Sequence, residues 1–216
     1  HRVTEMIDTA GSAPRKRDPA KAVAAMRGDE ITTLDELNAI IAGSEPMVAG
    51  GTRAVLGEGP MHPAIALVGE QPGDQEDIAG RPFVGPAGQL LTRALSDAGI
   101  DRGECYLTNA VKHFKHEMRG KRRIHQKPTM GEIKHYRWWL MKELDLVRPR
   151  LVVALGGSAV AALTGKAGAV TKLRGSADLG GHAGFVTVHP SYLLRMPDPA
   201  ARTEAYAAFV NDLRQV

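Results

Sequence analysis

A single cysteine, Cys105, stands in a chain of 216 residues. An intramolecular disulfide is therefore excluded, and no set of thiolates within one chain can hold a metal cluster. Also missing is any apolar run approaching the roughly 20 residues that a membrane-spanning helix needs. The chain opens on His1 without the charged, apolar and small-residue succession of a secretory leader. A soluble protein of the reducing cytoplasm, with no membrane partner, is the expectation.

What is present suits one α/β core and is too short for two cores and a linker. The first stretch mixes Gly, Ser, Pro, Arg and Lys and then turns Ala-rich without a firm period, which predicts a flexible arm over residues 1–30 ahead of one domain over 31–216. Thr33 is placed to cap a helix bearing Leu34, Leu37, Ile40 and Ile41 on one face, with Glu36 completing a capping box. Four short apolar runs follow, Ala64 to Val68, Cys105 to Val111, Leu151 to Leu155 and Gly184 to Val188, and each reads as a buried parallel strand. They alternate with helical patterns over Gly88 to Ala98, Gly131 to Val147, Ser158 to Leu163 and Ala200 to Leu213. Such alternation predicts a three-layer α/β/α sandwich around a central four-stranded parallel sheet. Ligands of such folds lie beyond the carboxyl ends of the strands. Those ends carry the unusual residues: Gly69-Glu70-Gln71-Pro72-Gly73-Asp74, Asn109, Gly156-Gly157-Ser158 and His189-Pro190-Ser191.

Charge points the same way. The formal net charge is +4 and the isoelectric point about 9.3, as expected of a phosphate-neutralising protein. The excess is local, since Lys112 to Lys127 contains seven Lys or Arg, three His and only one acid, Glu117.

The segment GEQPGDQEDIAGRPFVGPAG over residues 69–88 resembles the first signature of the uracil-DNA glycosylase superfamily, particularly its family-four and X-type branches. LTNAVKHFK (107–115), KRRIH (121–125) and VHPSYLLR (188–195) follow in that family's order, and KRRIH in an enlarged loop looks like the X-type signature. The resemblance runs from about residue 50 to the end of the chain and implies uracil-containing DNA, single-stranded or duplex, as partner. It also implies a monomer working at the bacterial nucleoid.

Cleaving a deoxyuridine leaves a uracil anion and an oxocarbenium-like sugar, so the site needs donors for the base and negative charge near the cation. The amide of Asn109 can accept from uracil N3–H and donate to O4, a pattern that mismatches cytosine. Alone, Asn109 would read as a cap and Phe83 as a core aromatic. By resemblance, Phe83 stacks on the uracil, the Gln71 backbone N–H and His189 meet O2, and Asp74 joins the base-binding group. Glu70 is implied as the catalytic carboxylate, with Asp74, Glu76 and Asp77 as alternatives close by. His125 is implied as a nucleophile that captures the sugar C1′, which a neutral imidazole is chemically able to do. Lys121, Arg122, Arg123, Ser191 and Arg195 are expected on the DNA backbone, with Tyr192 beside them.

Family-four and X-type relatives carry an iron–sulfur cluster, and here the resemblance breaks. The Cys-x-x-Cys position reads Ala42-Gly43-Ser44-Glu45-Pro46-Met47, and a further ligand position reads Tyr136, leaving His113 as the one match. No metal or cofactor is expected; Tyr136, Trp138, Trp139 and Met47 are the candidate fillers of the space. Three readings stay open: a glycosylase trapped on its product through His125, a hydrolytic multiple-turnover glycosylase, and a nucleic-acid-binding module without chemistry.

Overall fold

The computed structural model describes residues 30–216; apart from Glu30, the arm expected over residues 1–30 lies outside them. Helix α1 (Leu34–Ala42) starts at Thr33, whose hydroxyl accepts the Glu36 N–H at 3.2 Å. The box is not reciprocal as expected, because the Glu36 carboxylate accepts from the Thr32 N–H, one residue early. After α1 come β1 (Ile65–Gly69), α2 (Asp74–Ala79), α3 (Pro86–Asp97), a short 3-10 turn at Arg102–Glu104 and β2 (Tyr106–Asn109). An antiparallel hairpin follows, β3 (His116–Arg119) and β4 (Arg122–His125), turned at Gly120 with φ 61°. Then come α4 (Met130–Val147), β5 (Leu151–Leu155), α5 (Gly157–Thr164), α6 (Val170–Leu173), β6 (Gly175–Leu179), β7 (His182–Thr187), α7 (Pro190–Leu194) and α8 (Pro199–Arg214).

The central sheet has the order β2-β1-β5-β7-β6. β2, β1, β5 and β7 are the four parallel strands expected, and β6 adds a fifth, antiparallel to β7 at the edge. Strand alternation sorts side chains to two faces. Ala66, Val68, Val152, Ala154 and Val186 join α1, α4 and α5 through Leu37, Tyr136, Trp139, Leu140 and Ala162. Leu67, Val153, Leu155 and Phe185 join α3 and α8 through Leu91, Leu95, Phe209 and Leu213. Each fully buried Leu or Phe stabilises the fold by on the order of 2 kcal/mol. Among the described residues no helix is long and apolar enough to cross a membrane.

The long helix α4 begins with a reciprocal box: the Thr129 hydroxyl accepts the Glu132 N–H at 3.2 Å, and the Glu132 carboxylate accepts the Thr129 N–H at 2.8 Å. Glu132 also takes the Lys115 ammonium at 2.8 Å. The start of α4 is thus tied to the segment that enters the hairpin.

Candidate active site

Gly69 ends β1, and its missing side chain makes room for the site. A Cβ there would stand 2.6 Å from Asn109 Oδ1, 2.7 Å from Phe83 Cζ and 3.4 Å from His189 Nε2. Three residues from three separate segments therefore converge on one point at the carboxyl edge of the sheet. Asn109 is buried, and among the described residues its Oδ1 has no hydrogen-bond partner. An orphaned buried acceptor costs about 1–3 kcal/mol unless a ligand donates to it.

The backbone under Asn109 is held from below. Lys112, fully buried, places its ammonium 2.7 Å from the Asn109 carbonyl oxygen, 2.7 Å from Thr108 Oγ1 and 2.6 Å from Glu143 Oε1. Glu143 Oε2 accepts from the Tyr106 and Thr108 hydroxyls at 2.6 and 2.8 Å. The pair is paired and hydrogen-bonded, the condition under which a buried ion pair is tolerated.

Phe83 lies at φ 53°, in the left-handed region that a bulky residue enters at a cost of about 1–3 kcal/mol. Its ring is stacked toward that of His189, centroids 6.2 Å apart at 28°. His189 caps α7, its Nδ1 accepting the Ser191 N–H at 3.1 Å and lying 2.8 Å from Ser191 Oγ. A ring nitrogen that accepts a backbone N–H carries no proton, so the proton of neutral His189 sits on Nε2, facing Gly69. Burial pushes the His189 pKa down to about 4, which keeps the ring neutral at physiological pH.

Glu70 follows Gly69. Its Oε2 accepts from the Ser158 hydroxyl at 2.6 Å, and its Oε1 lies 3.4 Å from His125 Nε2. Burial raises the Glu70 pKa, but hydrogen bonds from His125 and Ser158 and the nearby His125 and His189 outweigh it and hold the carboxyl below its usual range. The result is a carboxylate beside a half-exposed imidazole at the rim of the same mouth. Phe114 backs that imidazole, ring centroids 6.4 Å apart.

The remaining expected residues divide. The Gln71 side chain is turned to the hairpin base, where its amide donates to the Gln126 carbonyl at 2.9 Å and accepts the Lys115 N–H at 2.9 Å. Arg123, expected on a phosphate, is directed inward: Nε donates to Asp74 at 2.6 Å, a second nitrogen pairs with Asp77, and the guanidinium lies 5.3 Å over the Phe114 ring. Asp74, expected on the base, is occupied by Arg123. Thr52 donates to Asp77 as well, at 2.8 Å. Lys121 and Arg122 are on the hairpin, exposed. Arg195 Nη1 reaches Ser191 Oγ at 3.5 Å, so Ser191 and Arg195 stand behind His189. Of the alternative acids, Glu76 accepts the Gly73 N–H at the start of α2 and the Val84 N–H in the loop that carries Phe83.

Gly69 and Ser158 were noted in the sequence only as parts of strand-end turns and given no role, and Arg102 was not singled out. Ser158 had a visible signal in its Gly-Gly-Ser turn at the end of β5, and Gly69 in its place between an apolar strand and an acid. Arg102 had none; its guanidinium reaches Phe83 across the chain.

The residues present do not fit an iron–sulfur cluster. Cys105 is buried at the opposite end of β2 from Asn109, with Sγ 3.5 Å from the Asp101 carbonyl. At the position the resemblance assigns to the cluster, Tyr136 Oη accepts the Met47 N–H at 3.0 Å and shares a hydrogen bond of 2.8 Å with His113 Nδ1. Burial pushes His113 down to about 4, so the ring is neutral at physiological pH. Tyr136 and Trp139 are fully buried and packed edge to face, whereas Trp138 is 47% exposed and fills nothing. Among the described residues no group of three or more His, Cys, Asp or Glu is placed to hold a metal ion.

Comparison with known proteins gives the family of the chain. Residues 56–214 match the sequence profile of the uracil DNA glycosylase superfamily. The chain is 40% identical over 153 residues to the type-4 uracil-DNA glycosylase of Thermotoga maritima, covering 69% of this chain and 76% of that one. It is 39% identical over 153 residues to the type-4 uracil-DNA glycosylase of Pyrobaculum aerophilum, covering 67% and 74%. It is also 32% identical over 172 residues to part of the DNA polymerase of Bacillus phage SP01, 79% of this chain against 16% of the polymerase. With the fold and the site, these findings define the class of the chain: a DNA N-glycosylase. Within that class it belongs to the uracil DNA glycosylase superfamily.

Proposed function

We propose that the protein excises uracil from DNA and, as in the X-type branch, is captured by the resulting deoxyribose through His125. The observation that carries the uracil reading is the unpartnered Oδ1 of buried Asn109, set beside the Phe83 ring and His189 Nε2. A flipped uracil fills this arrangement: N3–H donates to Asn109 Oδ1, the ring lies on Phe83, and His189 Nε2–H donates to O2 as negative charge builds there. Cytosine offers an acceptor at N3 and so leaves the amide oxygen orphaned.

For the sugar step, the C1′–N1 bond breaks with its electron pair leaving on uracil, and a ring-nitrogen lone pair of neutral His125 forms the new bond to C1′. Carboxylate Glu70 balances the positive charge that passes from sugar to imidazolium. Its place 3.4 Å from His125 and its fixed hydrogen bond from Ser158 support that role. Lys121, Arg122 and Arg195 are proposed to meet backbone phosphates, whereas Arg123 and Gln71 hold the hairpin that carries His125. Asp74 is proposed to act through Arg123. Met47, His113 and Tyr136 are proposed to secure the fold without a metal.

The test is a denaturing gel of the protein incubated with a uracil-containing single-stranded oligonucleotide. A shifted protein–DNA band is expected, and His125→Ala is expected to abolish it while uracil release persists. Alkali-labile free oligonucleotide from the wild type would replace the trapping step with hydrolysis, and an unchanged oligonucleotide would remove the glycosylase reading altogether.

A further inference from the structure

We infer that Arg102 is a positioning residue that presents the Phe83 ring to the base, an inference that rests on the uracil reading of the site. The Arg102 guanidinium makes four hydrogen bonds, all to the loop and helix that bear Phe83. One terminal nitrogen donates to the Phe83 carbonyl at 2.7 Å, to Thr92 Oγ1 at 2.6 Å and to the Gly88 carbonyl at 3.3 Å; the other donates to the Pro82 carbonyl at 3.1 Å. Both carbonyls flanking the Phe83 α-carbon in the chain are therefore held by one planar, always charged fork.

Phe83 needs this. Its φ of 53° is disfavoured for a bulky side chain, so something other than local preference must fix it. Close packing alone supplies part: a Cβ on Gly88 would come within 2.1 Å of the Phe83 carbonyl carbon and oxygen, so the loop backbone lies directly on the first turn of α3. Van der Waals contact on that side sets a distance but not the direction of the carbonyls. Arg102 sets the direction, and with it the line along which the ring leaves the backbone toward Gly69. A lysine cannot do the same, because a single ammonium does not span two carbonyls with a planar fork. Arg102 comes from the 3-10 turn just before β2, whose far end carries Asn109. The ring below the base and the amide at its edge are thus registered to one strand.

The outer side of Arg102 opens onto a cavity of about 450 Å³, lined by Thr92, Ser96, Gly99, Ile100, Asp101 and Arg102 itself. Free guanidinium can enter there, which makes the inference testable by chemical rescue. The chain has only four phenylalanines, so fluorophenylalanine labelling gives four resonances, and Phe83→Leu identifies the one from Phe83.

In Arg102→Ala, that resonance is expected to shift or broaden while the other three stay in place, which also certifies the fold. Single-turnover uracil release is expected to slow by about 10- to 100-fold. Millimolar guanidinium restores both, and Arg102→Lys falls between. On a Phe83→Ala background, removing Arg102 is expected to slow release by less than about 2-fold more, because residues acting through one another are not additive. An unmoved Phe83 resonance in Arg102→Ala, or full additivity with Phe83→Ala, overturns the inference. If the wild type releases no uracil, the glycosylase reading fails on its own, and the resonance with its guanidinium rescue still decides whether Arg102 positions Phe83.

Discussion

Asn109 concentrates what a single side chain contributes here. Its backbone carbonyl accepts from buried Lys112, and among the described residues its Oδ1 is left without a partner in a site lined by Phe83 and His189. Asn109→Asp keeps the shape and removes the donor to uracil O4. It also sets a carboxylate against a leaving group that becomes an anion. Single-turnover uracil release is expected to fall by about 100-fold or more, the usual effect of losing an oriented donor at a developing oxyanion. The preference for uracil over cytosine is expected to narrow, since a carboxyl can present either an acceptor or, when protonated, a donor to N3. Undiminished uracil release by Asn109→Asp would mean that this amide does not read the base. At this scale the sequence offered candidate residues and was silent about where they point. Arg123 sits in a run of cations, a pattern that suggests solvent and phosphate, yet Asp74 and Asp77 arrive from α2 and draw it inward. Only the fold brings those acids close.

Among the elements, the apolar runs were legible because burial on both faces demands them: β1, β5 and β7 lie within a residue or two of their expected places. β6 was not legible, because Gly175-Ser176-Ala177-Asp178-Leu179 is an edge strand with only one buried residue and no apolar run. The hairpin was read as a basic loop for a similar reason; its pairing rests on backbone hydrogen bonds and on contacts from Gln71 and Arg123, not on a hydrophobic pattern. The junction of α1 with α4 poses a different question, namely what holds it where the resemblance would put a cluster. Tyr136 Oη joins the Met47 N–H to His113 Nδ1. Tyr136→Phe leaves both without that partner in a buried setting, and a loss of about 1–3 kcal/mol in urea unfolding is expected. The wild-type protein is expected to contain no stoichiometric iron and to keep its thermal midpoint in the presence of a chelator. Stoichiometric iron together with a chelator-induced drop in the midpoint would show that a metal does hold this junction.

For the molecule as a whole, the same burial that prepares the site makes the fold acid-sensitive. His189 is held neutral with a pKa pushed down to about 4 from an ordinary 6.5, and burial is the main cause. The unfolded chain therefore binds a proton that the folded one refuses over this window, and stability rises with pH wherever the unfolded state holds more protons. Stability contributed in this way is fully present above the unfolded value of 6.5 and is lost as the pH falls through 6.5 toward 4. Two and a half pH units correspond to on the order of 3 kcal/mol at the acid end. His189→Asn isolates the effect, because asparagine is a good N-cap and can still accept the Ser191 N–H that His189 Nδ1 accepts now, without titrating. Urea unfolding of the wild type at pH 7 and pH 4.5 is expected to show a clear acid loss, and the variant a smaller one, although the variant no longer donates to the base. Equal acid losses in both proteins would place the titrating group elsewhere and mean that burial does not hold His189 neutral below its ordinary range.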